Sequence, residues 1–256
     1  MGVDGPTPGD QPAIRITAGT LDGAQEGELP SIMLANACEL YRDAGCIGQP
    51  AAAVTSLAFV IAGLAVVARR PHGAPTVTYG LLVVAVGAGS LVAHGPNPPW
   101  QAYAHDIPIA TLLAFIAVDA ASDRFGRRLS PVWWLAVPVV VIPAVAAGPT
   151  ASTIVQAILA AVAVGLGLER ARVRPQLRRT TVVAALLLVS GALLGTIGDR
   201  TSICRPGSVL QGHALWHILA AAGLWRLAPT IGSTADTVAA RRSQAGSNGD
   251  FRRPTT

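Results

Sequence analysis

Three histidines in an apolar chain are the residues of this sequence best suited to chemistry. The stretch Gly-His-Ala-Leu-Trp-His-Ile-Leu at 212–219 lies in an apolar run from Val209 to Leu227 and carries His213 and His217. Residues four apart share a helical face, so both imidazoles can be aimed at one atom. A second stretch, Gly-Ser-Leu-Val-Ala-His at 89–94, holds Ser90 and His94 at the same spacing. His94, His213 and His217 together would make a three-histidine zinc site with an open fourth position, the arrangement of catalytic zinc. Water bound there becomes a nucleophile because its pKa falls to about 7. Asp106, in Trp-Gln-Ala-Tyr-Ala-His-Asp-Ile-Pro at 100–108, is the carboxylate to hold that water or carry its proton. Ser90 is the hydroxyl to donate to a developing oxyanion. His105 adjoins Asp106, but successive helical residues point about 100° apart, which directs it away from the group expected around the aspartate. A lone histidine in an apolar helix is ordinarily a helix-to-helix hydrogen bond. The metal reading rests on three histidines and an aspartate meeting at one depth.

The elements that must position these residues are apolar helices. Of the 256 residues, 51% are hydrophobic and 13% charged, against about 25% charged in soluble domains. Mean hydropathy is +0.48. Seven runs approach the roughly 20 residues that cross a bilayer, at about 51–68, 75–94, 101–121, 131–148, 151–168, 180–198 and 209–227. None alternates as a barrel strand does, and backbone in lipid must satisfy itself internally, so the expected fold is all-α, a seven-transmembrane-helix bundle. Residues 1–30 and 229–256 read as disordered tails around a membrane domain at 31–228.

All 19 basic residues are arginine, and fifteen follow the first, third, fifth and seventh runs. The positive-inside rule then places the N-terminus outside and the C-terminus in the cytoplasm. In that topology Ser90, His94, Asp106, His213 and His217 share the outer level, and Asp199 and Arg200 form an ion pair at a helix end. His72 falls in an arginine-rich loop, where it is solvated. The absence of lysine excludes a retinal Schiff base. The arginines are dispersed, so no nucleic-acid face is formed. Leu-Val-Ser-Gly at 188–191 lacks the first glycine of a rhomboid protease signature.

"GSLVAHGPNPPWQAYAHDIP", "DRTSICRPGSVLQGHALWHIL" and "ACELYRDAGCIGQP" resemble, in order and spacing, three motifs of the alkaline ceramidases, members of the CREST superfamily of seven-helix membrane proteins. The similarity covers the chain from about Cys38 to Leu227. It implies an intramembrane zinc hydrolase that cleaves the amide of a ceramide-like N-acyl lipid. The ligands would be His94, His213 and His217, with Ser90 and Asp106 in support. The family's N-terminal calcium site is matched only by Glu39. Gln49 stands where a second glutamate is expected and Tyr41 where an asparagine is, so calcium is doubtful and the site reads as degraded. Cys38 and Cys204 both fall on the outer side, where a disulfide is permitted; Cys46 is the rival partner. An alanine-rich, all-arginine chain points to a bacterial cell membrane. The partner implied is a bilayer lipid. The alternative is a non-enzymatic seven-helix zinc sensor or receptor; a transporter would spread its polar residues through the membrane depth.

Overall fold

The structure, a computed structural model, describes residues 38–42, 46–69, 73–200, 208 and 210–233, with the side chains of 199 and 200 excepted. Among these the regular structure is entirely helical. The helices are α1 (Pro50–Val67), α2 (Ala74–His94), α3 (Gln101–Arg124), α4 (Val132–Leu135), α5 (Val137–Ala146), α6 (Pro149–Val173), α7 (Pro175–Arg200) and α8 (Gly212–Leu227), closed by a 3-10 turn at Ala228–Thr230. Five of them, α1, α2, α3, α6 and α7, are long and apolar enough to cross a membrane. Proline opens α1, α6 and α7 and sits second in α2; at those positions its missing N–H is an unpaired donor in any case.

All seven apolar runs form helix, with one interruption. The fourth is split at Ala136 into α4 and α5. Pro138 cannot donate to the Trp134 carbonyl and its ring crowds it, so the helix restarts. The last helix begins at Gly212 rather than near 209.

The helices pack in a closed circuit: α1 on α2, α2 on α3, α3 on α6, α6 on α7, α7 on α8, and α8 back on α1. The broken pair α4–α5 lies against α3 and α6. Phe59, Val83, Phe115, Ala220 and Leu224 meet in the shared core. Tyr79 is fully buried there and donates from its hydroxyl to the Leu224 carbonyl at 2.7 Å. The outer faces are apolar as well, with Ile61, Val139, Ile158 and Leu186 exposed. A helix apolar on all sides needs an apolar surround.

Two close approaches fix the helices that carry the site. A Cβ on Gly89 of α2 would lie 1.9 Å from the Ala104 oxygen of α3. Pro108 of α3 has no N–H for that carbonyl, and only glycine leaves room for it. A Cβ on Gly212 would lie 2.7 Å from the Leu194 oxygen and 2.8 Å from Gly198 Cα, so α8 starts in close contact with α7. Small residues of this kind let membrane helices approach closely.

The far end of the bundle is held by charge. Arg170 is buried within α6. It contacts Asp119 at 2.8 Å and Asp123 at 2.8 Å, both on α3, and donates to the Thr230 carbonyl at 2.9 Å. Arg174 contacts Asp123 at 2.7 Å. Asp119 also accepts from Gly232 N at 3.1 Å. These two arginines were expected among loop charges; they are instead the core of an ion-pair network. A guanidinium with matched carboxylates can be buried where a solvated loop charge cannot. The bundle therefore continues past residue 228, with Thr230 and Ile231 buried.

Candidate metal centre

His94 is the last residue of α2, and His213 and His217 occupy the first two turns of α8. Their ring centroids are 5.0 Å apart for His94 and His213, 5.2 Å for His94 and His217, and 4.7 Å for His213 and His217. One nitrogen from each lies within 4.8 Å of the other two. Zinc–nitrogen bonds of about 2.0–2.1 Å place tetrahedral ligands roughly 3.3 Å apart, a separation that small side-chain rotations reach. The three expected ligands converge, and they can hold a metal ion.

The outer hydrogen bonds favour that use. His94 Nδ1 meets Gln49 Oε1 at 2.7 Å. Gln49 donates from its amide nitrogen to the Glu39 carbonyl at 3.0 Å, which leaves its oxygen for the imidazole. Nδ1 therefore carries the proton, and Nε2 keeps its lone pair. His94 Nε2 is buried without a hydrogen-bond partner, a condition that is costly unless something such as a cation occupies that side. His217 Nδ1 faces the Ala52 carbonyl at 3.1 Å and Thr55 Oγ1 at 3.2 Å. A carbonyl only accepts, so here too Nδ1 is the protonated nitrogen and Nε2 the ligand.

Ser90 is buried beside these rings. Its Oγ accepts from Ser56 at 3.1 Å and stands 3.4 Å from His217 Nε2, so the hydroxyl borders the position a metal would take. Asp106 stands elsewhere. Its Oδ1 accepts from His105 Nδ1 at 2.7 Å and its Oδ2 accepts from Ser152 of α6, which in turn accepts from Gln156 at 3.2 Å. His105 is the residue that reaches the cluster, with its ring 5.9 Å from that of His94. The directions differ from those expected: His105 stands against His94, and Asp106 against Ser152 of α6. Contact between Gly89 and Ala104 turns the next residue, His105, toward α2 and leaves Asp106 facing α6.

Glu39 accepts from Ala51 N at 2.7 Å and Ala52 N at 3.0 Å, so its carboxylate caps the first turn of α1. Cys38 is disulfide-bonded and Cys46 is a free, exposed thiol. The Cys38–Cys46 pairing is thereby excluded; Cys204 lies outside the described residues, as do His72 and the Asp199–Arg200 side chains. Gln49, Ser56, His105 and Ser152 were not assigned to the site from sequence. The signals were present in part: polar residues at the head of an apolar run and a second histidine beside the aspartate.

No family model matches the chain, and no curated protein is significantly similar to it.

Proposed function

We propose that the chain is a multi-pass membrane hydrolase of bacterial type that uses zinc to cleave the amide of a long-chain N-acyl lipid. The observation that carries this reading is the convergence of His94, His213 and His217, with His94 Nε2 buried and unpartnered. Three neutral imidazoles suit zinc, and a three-ligand site leaves a position for water or substrate. Bound there, zinc supplies a Lewis acid and acidifies water. The resemblance of the three quoted segments to alkaline ceramidases gives the substrate class, a ceramide-like lipid.

The chain's own residues supply the rest. Ser90, anchored by Ser56, directs its hydroxyl at the oxygen that gains charge as the amide carbonyl is attacked. Asp106 holds the proton on His105 Nδ1, and this pair is the proton carrier for the leaving amine on the α3 side. The acyl chain lies between the apolar helices. The N-terminus is outside, the C-terminus cytoplasmic, and Cys38 pairs with Cys204 on the outer face. A sensor would use the same donor set, and the separation of Asp106 from the three nitrogens favours it as the second reading.

Metal content of the purified chain, measured by mass spectrometry, is the first test. About one zinc per chain is expected, absent from His213→Ala/His217→Ala. Hydrolysis of N-acyl lipids by the zinc-loaded protein, lost in His94→Ala, is then expected. No zinc after zinc is offered in purification overturns the reading. Zinc without turnover of any N-acyl lipid leaves the sensor.

A further inference from the structure

Glu39 and Gln49 both precede α1, yet a hydrogen-bond path from each of two imidazoles, His94 and His217, leads to them. From His94 the path runs Nδ1–H to Gln49 Oε1, then Gln49 amide N–H to the Glu39 carbonyl. From His217 it runs Nδ1–H to the Ala52 carbonyl, in the helical turn whose Ala51 and Ala52 N–H groups donate to the Glu39 carboxylate. Gln49 is 1% exposed, although it is the N-cap of α1 and makes no capping bond with its side chain. Its backbone is fixed too, with Gln49 N donating to the His94 carbonyl at 2.8 Å. A buried amide with one end on a ligand and the other on a fixed carbonyl cannot turn over without breaking both bonds.

We propose that Gln49 is a positioning residue for the metal ligand His94, and that Glu39 sets both ligand acceptors by holding Gln49 and the first turn of α1. The proposal rests on the metal reading of the three histidines. Its physical content is that Gln49 fixes which imidazole nitrogen is protonated and how the ring is turned, which raises the ligand's basicity toward the cation. Gln49→Met keeps the volume and removes the acceptor. Gln49→Glu keeps an acceptor oxygen for His94 Nδ1 but gives up the amide N–H that the Glu39 carbonyl accepts, so it separates the acceptor from the Glu39 hold.

Zinc affinity of the full chain in detergent, by competition with a chromophoric chelator, tests this without any turnover. Gln49→Met is expected to weaken zinc binding about 10–100-fold, while Gln49→Glu binds zinc more tightly than Gln49→Met, its oxygen still accepting from Nδ1. Melting of the metal-free proteins is the control. If both variants lower that melting temperature alike and both bind zinc as the parent does, Gln49 is a packing residue and the proposal fails. If the parent itself takes up no zinc, the metal reading fails, and this inference with it.

Discussion

Removing Arg170 should destabilise the bundle strongly and leave the metal site intact. Its side chain is 3% exposed, and its partners Asp119 and Asp123 are 12% and 1% exposed. Arg170→Met leaves two buried carboxylates facing the single guanidinium of Arg174. Breaking a buried ion pair by removing one partner costs about 3–5 kcal/mol, because the remaining charge is uncompensated. For a domain of this size 1 kcal/mol is about 2–4 °C, so melting should fall by about 6–20 °C. Adding Asp119→Asn removes the surplus charge and keeps an oxygen for Gly232 N, so the double variant should recover at least half the loss. Asp119 is thirteen residues along α3 from Asp106, about 20 Å at 1.5 Å per residue, so zinc content should not change. Thermal unfolding in detergent, read beside metal content, is the assay. Arg170→Met melting within 2 °C or so of the parent would refute the inference that burial makes this network costly to break. Loss of zinc along with stability would refute the independence of the two ends.

Two further outcomes follow from the geometry. Gly89→Ala places a carbon 1.9 Å from the Ala104 oxygen, forcing α2 and α3 apart; stability should drop by about 1–3 kcal/mol and zinc affinity with it, and unchanged melting and zinc titration would contradict the close-contact account. His105→Phe keeps a ring against His94 but removes the Nδ1–H, so zinc content should persist while turnover of an N-acyl lipid falls about 100-fold or more; full turnover would remove His105 from the proton route.

The helices were legible because each is an apolar run bounded by proline, glycine or arginine, and lipid-like surroundings leave backbone no alternative to helix. The run at 131–148 contains Pro138 and Pro143; composition marks it as apolar, while its interruption at Ala136 depends on a ring meeting the carbonyl four residues back. The histidine cluster was legible for a related reason. His213 and His217 share a face by spacing alone, and His94 ends a run whose alternation brings it to the same level.

What spacing could not supply was azimuth between helices. Sequence periodicity gives the angle between His105 and Asp106 within α3, but not which of them faces α2. Contact between Gly89 and Ala104 decides that, and it gives the cluster to His105 and Ser152 to Asp106. Arg170 was misplaced for a similar cause: a basic residue near a helix end looks like loop charge until Asp119 and Asp123 are seen one turn apart on the facing helix. By itself the sequence determined the apolar all-helical class, the approximate helix bounds, the shared face of His213 and His217 and the common level of His94, because these follow from local periodicity, span order and the cost of unpaired backbone. Only the tertiary structure decided the partners of those imidazoles, since Gln49, Ala52 and Ser56 act through contacts 45, 165 and 161 residues apart in the chain.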